Sequence, residues 1–312
     1  MKILYVVIPC YNEEEVLPET SERLKEKLNN LIKDKKISDE SKIMFVNDGS
    51  KDKTWEMIKK YNSEDKIFRG VNLSRNRGQQ NALLAGLMTA KEYADIVISM
   101  DADLQDDINV MDEMIEENNN GCEIVYGVRS SRKKDSFFKK VTAEGFYKFM
   151  NFMGVNVVFN HSDCRLMSKR ALNELATFRE VNLFLRGLVP LIGFKTGIAY
   201  YERHERFAGE SKYPLKKMIS FAIDGITSFS IKPLEFIFKI GLFLLLVSFG
   251  LLVAVIVRAI MKLSITLLLI LWTIYLVGSL IMIGMGVIGT YIGKTYIEVK
   301  DRPRFIIEEV LW

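Results

Sequence analysis

Residues 240–257 and 263–293 of this chain contain no Asp, Glu, Lys or Arg. The two runs are about 18 and about 31 residues long, and ~20 apolar helical residues cross the ~30 Å hydrocarbon layer of a bilayer. Charges are frequent upstream of about residue 235, so the sequence predicts a large soluble head followed by two transmembrane helices, about 236–257 and 265–292. Basic residues orient them. Arg258 and Lys262 lie between the runs, whereas Lys216, Lys217, Lys232 and Lys239 precede the first and Lys294, Lys300, Arg302 and Arg304 follow the second. Eight against two places the head (1–213) and the tail (294–312) on the cytoplasmic side of the cell membrane. Between Pro214 and Pro233, Leu215, Met218, Ile219, Ala222, Ile226 and Phe229 recur at helical spacing. This predicts an amphipathic juxtamembrane helix over 214–233. Gly278, Gly284, Gly286, Gly289 and Gly293 in the second run would allow close helix approach, to the first span or to another copy in a homo-oligomer.

Charge and cysteine usage exclude several classes. A formal net charge of +4 without a long basic block argues against nucleic acid and leaves local partners, such as a phosphate or an anionic lipid surface. Cys10, Cys122 and Cys164 are odd in number and lack Cys-x-x-Cys spacing. Neither a disulfide framework nor a zinc knuckle is expected, and each cysteine reads as a small buried residue in a reducing cytoplasm. Met1 opens almost directly into an apolar run with no cleavable signal, which fits the same compartment. His161 and His204 have no partner spacing for metal or triad chemistry.

The head alternates between two patterns. Residues 3–9, 42–46 and 95–100 are short apolar runs that read as strands, 67–73 is strand-like, and 14–32, 52–61 and 80–90 have helical character. Residues 123–126 are again strand-like and 169–176 helix-like. The alternation predicts an α/β head with a mostly parallel sheet, whose ligands bind beyond the carboxyl ends of the strands. Polar motifs fall at those ends: Pro9-Cys-Tyr11-Asn12-Glu13-Glu14, Asn47-Asp48-Gly49-Ser50, Arg75-Asn76-Arg77-Gly78-Gln79 and Asp101-Ala-Asp103-Leu-Gln105. A turn starting at Asp101 would let both carboxylates of Asp101 and Asp103 approach one divalent cation of hard oxygen preference, Mg²⁺ or Mn²⁺.

In their order, these four motifs resemble those of the family 2 glycosyltransferases, whose nucleotide-sugar-binding head has the fold called GT-A. Asp163-Cys164-Arg165-Leu166 is similar to the family's Asp-Phe-Arg-Leu segment, with Cys164 where an aromatic is common. Arg206-Phe-Ala-Gly209-Glu-Ser211-Lys212-Tyr213 is similar to its Arg-x-x-Gly-x-Ser-Lys-Tyr loop. Two C-terminal spans ending in Gly289-Thr-Tyr291-Ile-Gly293-Lys, then Arg302-Pro303, resemble the polyprenyl-phosphate (bactoprenol) glycosyltransferase type.

The resemblance implies roles residue by residue. Pro9, Tyr11, Asn12, Glu13, Asp48, Gly49, Ser50, Asn76, Gln79 and Asp101 would line the nucleotide-sugar site, with Arg206 and Lys212 closing over the diphosphate. Asp101, Asp103 and Gln105 would hold Mg²⁺ or Mn²⁺. Asp163, Asp103 and Arg129 would form the catalytic group, Arg129 meeting the acceptor phosphate. Whether Asp163 is a base or a positioning residue stays open, and an ion pair with Arg165 or Arg170 is its purely structural alternative.

The implied activity is inverting, metal-dependent transfer of a hexose, glucose first, from a UDP-sugar to polyprenyl (undecaprenyl) phosphate at the cytoplasmic membrane face. UDP-N-acetylglucosamine and UDP-galactose are close alternatives as donor, and a dolichyl-phosphate mannose synthase using GDP-mannose shares the head motifs. A lipid-linked-sugar flippase is a candidate partner. A processive synthase is disfavoured, since none of Trp55, Trp272 or Trp312 completes a Gln-x-x-Arg-Trp segment. From another class, a non-catalytic membrane scaffold is opposed by the presence of Asp101, Asp103, Asp163 and Lys212.

Overall fold

The computed structural model describes residues 1–129, 161–181, 183–202 and 267–312. The expected amphipathic helix 214–233, the first apolar run, Arg206 and Lys212 lie outside them. The first half of the head alternates as its hydrophobic pattern predicts. Strand β1 (Leu4–Cys10) is followed by α1 (Leu17–Lys33), β2 (Lys42–Asn47), α2 (Thr54–Glu64), β3 (Phe68–Leu73), α3 (Gln79–Ala90) and β4 (Ile96–Ser99). The chain continues through α4 (Val110–Asn119) and β5 (Ile124–Arg129). Next come β6 (His161–Ser168), α5 (Lys169–Thr177), α6 (Leu185–Leu191) and β7 (Thr196–Tyr201), and finally α7 (Leu267–Val299) and β8 (Ile307–Leu311).

The eight strands among the described residues form one sheet in the order β7-β5-β6-β4-β1-β2-β3-β8. β1 pairs in parallel with both β2 and β4, β2 with β3, and β5 with β7. Only β6 and β8 run against the rest, so the sheet is mostly parallel. The chain winds outward from β1 through β2 to β3, then returns to lay β4 on the other side of β1. That reversal opens a crevice beyond the carboxyl ends of β1 and β4, where ligands of open α/β sheets bind.

The central strands are buried on both faces, which is why their apolar runs do not alternate. Leu4, Val6 and Ile8 of β1 share a core with Leu17, Leu24, Leu28 and Leu31 of α1. On the opposite face, Gly86 brings α3 so close to the sheet that an added methyl would stand 2.4 Å from Val7 Cγ1 and 2.6 Å from Val46 Cγ2. Pro18 sits in the first turn of α1, where its missing N–H leaves nothing unpaired. Helix α1 begins three residues later than its periodicity suggests, because Glu14 is drawn away: its backbone N–H donates to Asp52 (3.2 Å) and its carboxylate accepts from the Lys53 N–H (3.0 Å).

Two elements depart from the expected outline. The Asp163 segment is a full strand, β6, inserted antiparallel between β4 and β5. Part of the tail 294–312 is β8, which pairs antiparallel with β3 and extends the head's sheet. The chain divides into two compact units, one holding the sheet with residues 302–312 and the other holding α7. The second apolar run lies largely in α7, some of whose side chains fall outside the description. Among the described residues no helix is long and apolar enough to cross a membrane.

Candidate functional site

The loops after β1 and β2 build one wall of the crevice. The Asp48 N–H donates to the Cys10 carbonyl (2.9 Å), tying the two strand ends together. Asn12 adopts a left-handed backbone (φ 53°), a conformation asparagine tolerates. Its N–H donates to Ser50 Oγ (3.0 Å), and its side-chain oxygen accepts from the Lys51 N–H (2.8 Å). The Glu13 N–H donates to Thr54 Oγ1 (2.9 Å). Tyr11, 37% exposed, stands at the rim, and Pro9 ends the apolar run one residue before the close of β1.

Asp48 staples the wall to the next loop. Its two carboxylate oxygens accept from the backbone N–H groups of Arg77 (2.6 Å) and Gly78 (2.9 Å). Burial pushes its carboxyl above the ordinary value, against those two hydrogen bonds. Gly49 makes the approach possible. It has φ +62°, and a Cβ there would lie 2.5 Å from the Asn76 nitrogen and 2.6 Å from the Arg75 carbonyl carbon. Gly49→Ala is therefore expected to destabilise the protein by about 2–4 kcal/mol, combining overpacking with left-handed strain, read as a lower thermal midpoint.

The floor is carboxylate-rich. Asp101 and Asp103 follow β4 in a turn whose Leu104 has φ 55°. Gln79, the first residue of α3, donates its amide N–H to Asp101 Oδ1 (2.7 Å), and the Gln105 N–H donates to Asp103 Oδ1 (3.2 Å). Asp106 is buried and accepts from the Tyr201 hydroxyl (2.6 Å). Desolvation, then the charges of Asp163, Asp106 and Asp103, push the Asp101 carboxyl up to about 8, with Arg186 acting the other way.

Asp163 is held on its own side of the floor by arginines. Arg186 grips it with a two-pronged contact, Nε to Oδ1 at 2.9 Å and Nη2 to Oδ2 at 3.0 Å. Arg165, 1% exposed, adds Nη2 to Oδ1 at 3.3 Å, and Ser99 Oγ donates to the Asp163 carbonyl (2.7 Å). Burial lowers the Arg165 pKa while the Asp163 charge raises it. Gln80 accepts from the Leu185 N–H (2.8 Å), fixing the start of the short helix that carries Arg186. Arg170 does not reach Asp163 but lies 3.5 Å from Glu123.

Pro9, Tyr11, Asn12, Glu13, Asp48, Gly49 and Ser50 thus stand on the wall at the carboxyl ends of β1 and β2, and Gln79, Asp101, Asp103, Gln105 and Asp163 on the floor. Asn76 contributes its backbone to the seat of Gly49. Arg129 ends β5 in register with Tyr201, its side chain lying outside the description. Arg186, Asp106 and Gln80 were not anticipated. The available signal for Arg186 was its isolation as a lone cation in the apolar stretch 183–192.

Among the described residues no group of three or more His, Cys, Asp or Glu is arranged to ligate one ion. The donors gathered at Asp101, Asp103 and Gln105 are oxygens, the type that Mg²⁺ and Mn²⁺ take. The repulsion concentrated on Asp101 is of the kind a divalent cation would relieve. The residues present therefore fit such an ion chemically.

A family model described as "Glycosyl transferase family 2" matches residues 5–176. The "Uncharacterized glycosyltransferase YkoT" of Bacillus subtilis is 50% identical, over 98% of this chain and 91% of its own length. The "Prophage bactoprenol glucosyl transferase homolog" of Escherichia coli is 38% identical, over 98% of both chains. The "Bactoprenol glucosyl transferase" of Shigella phage SfII is 37% identical, over 97% of both.

Proposed function

The chain belongs to glycosyl transferase family 2 and is a glycosyltransferase, and from that premise we propose that it transfers glucose from UDP-glucose to a polyprenyl phosphate at the cytoplasmic membrane face. The observation that carries this reading is the floor of the crevice, where Asp101, with its pKa pushed to about 8, meets Asp103, Asp106 and Asp163 beside Arg186. So many carboxylates at a strand-end crevice suit a ligand that brings its own cation, as a nucleotide diphosphate does. Relatives named for bactoprenol glucosyl transfer, at 37–38% identity over nearly the whole chain, support glucose as the sugar and a polyprenyl phosphate as the acceptor. The uncharged runs 240–257 and 263–293 support a bilayer-bound protein that meets its acceptor in the membrane.

In this reading the wall of Tyr11, Asn12, Glu13, Asp48 and Ser50 seats the base and ribose, whose N–H and hydroxyl donors suit carboxylate and carbonyl acceptors. Asp101, Asp103 and Gln105 would hold Mg²⁺ or Mn²⁺, which when bound offsets charge on the departing diphosphate. Gln79 keeps the Asp101 carboxylate aimed. Arg206 and Lys212 close over the diphosphate, and Arg129 meets the acceptor. An acceptor phosphate oxygen attacks the anomeric carbon from the face opposite the leaving group. The bond to the donor's β-phosphate oxygen breaks and UDP departs. A phosphate monoester is already anionic near neutral pH, so no base is required. Asp163, gripped by two guanidinium groups, then acts by positioning.

A transfer assay tests this directly. Full-length protein in detergent, given undecaprenyl phosphate, Mg²⁺ or Mn²⁺ and radiolabelled UDP- and GDP-sugars, is expected to move label into the lipid phase from UDP-glucose and to stop with EDTA. Label from GDP-mannose alone would reassign the donor. No lipid-phase label from any donor would overturn the acceptor.

A further inference from the structure

The irregularity in the β3–β8 ladder leads back to the donor wall. Asn72 pairs with Glu309 and Leu73 with Ile307, which leaves Glu308 as an extra residue on the edge strand. Bulges of this kind re-aim a side chain and occur next to active sites. The freed Glu308 carboxylate accepts from the Asn72 side-chain amide (2.9 Å). The Asn72 oxygen accepts from the amide of Asn47, a buried residue (2.7 Å). The Asn47 oxygen accepts from the Ser50 N–H (3.2 Å), and Ser50 Oγ accepts from the Asn12 N–H (3.0 Å). The amide orientations are mutually consistent: each Asn donates toward the C-terminal side and accepts from the wall side. A one-residue register shift without the bulge would point position 308 elsewhere, so the bulge and the relay belong together.

We propose that Glu308 is a positioning residue for the donor site, setting the Asn12–Ser50 wall through Asn72 and Asn47. The C-terminal strand is in this way part of the nucleotide-binding apparatus as well as a cover for the β3 edge. The assignment rests on the reading of that wall as the nucleotide seat, but its mechanical half does not. With Glu308 removed, the Asn72 amide loses its fixed acceptor, Asn47 is no longer held in one orientation, and the Ser50 N–H loses its partner part of the time.

The test uses full-length protein in detergent and compares Glu308→Ala, Glu308→Gln and Glu309→Ala. Glu309 is the control from the same strand, engaged with Lys59 at 2.8 Å. The first readout is amide hydrogen exchange in the ligand-free protein over peptides covering 11–16 and 47–54. Glu308→Ala is expected to speed exchange there by about three- to tenfold, the scale of one net hydrogen bond, while Glu309→Ala leaves it unchanged. Glu308→Gln, whose side-chain carbonyl accepts the same bond, restores protection. The second readout is UDP affinity, weakened by a similar factor in Glu308→Ala and recovered in Glu308→Gln. Unchanged exchange over 47–54 in Glu308→Ala, or an equal effect of Glu309→Ala, would overturn the relay. Faster exchange in a protein whose wild type binds no UDP would uphold the relay and remove the nucleotide from the wall.

Discussion

Asp101→Asn is expected to end sugar transfer, by at least about a thousandfold, and at the same time to make the ligand-free protein more resistant to heat at pH 8. Both effects have one cause. In the fold, burial and the charges of Asp163, Asp106 and Asp103 raise the Asp101 carboxyl to about 8, whereas an unfolded aspartate titrates near ~3.9. Below about pH 4 the proton is bound in both states and costs nothing. As pH rises from about 4 to about 8 the unfolded chain ionises while the folded carboxyl keeps its proton, so stability falls across that window and the full penalty stands above it. Asparagine does not ionise and escapes the penalty. Thermal midpoints of the two proteins should nearly coincide at about pH 4 or below and separate in favour of the variant by pH 8. Adding Mn²⁺ should raise the midpoint of the wild type and leave Asp101→Asn unmoved. A variant no more stable than wild type at pH 8 would show that the carboxylate cluster carries no strain for a cation to relieve.

The legible part of this molecule was the part where one kind of residue dominates a segment. β1, β2 and β4 were readable because both faces of each strand are buried, which leaves nearly unbroken apolar runs, and the polar motifs after them mark the strand ends. In the sequence β6 reads as a motif rather than a strand because it carries Asp163 and Arg165, charges that belong in a central strand only when matched. The match comes from Arg186, which no spacing rule connects to Asp163. The nearby candidates were Arg165 and Arg170, of which the first takes part and the second turns to Glu123. β8 was hidden for a related reason. Ile307, Glu308, Glu309 and Val310 have neither the apolar continuity of a central strand nor a clean alternation, and an edge strand with a bulge needs neither. The arrangement of wall, floor and C-terminal strand is set by side-chain hydrogen bonds between residues 25 to 236 positions apart, contacts that local pattern does not encode.

Asp163→Asn and Arg186→Ala should each lower turnover by about a hundred- to a thousandfold, and the double variant should be no worse than the poorer single one. The expectation follows from the two-pronged contact between the side chains, at 2.9 and 3.0 Å. A carboxylate gripped by two guanidinium groups acts through where it holds them and what the more exposed one can meet. Removing either member releases the other, and the second substitution then has nothing left to disturb. Arg186→Lys should not rescue, because an ammonium cannot reproduce the planar fork. A general base would behave differently. With Asp163 as base, Arg186→Ala would leave a carboxylate still able to take a proton, and the losses of the two single variants would multiply in the double. Turnover of the four proteins at saturating donor decides between these. Near-complete overlap of the losses assigns Asp163 to positioning, and multiplication assigns it to proton transfer. The same series has a stability readout, since Arg165 is 1% exposed and Asp163 is its counter-charge. Asp163→Asn should therefore lower the thermal midpoint more than Arg186→Ala, whose side chain is 26% exposed and whose loss leaves the Asp163–Arg165 contact in place.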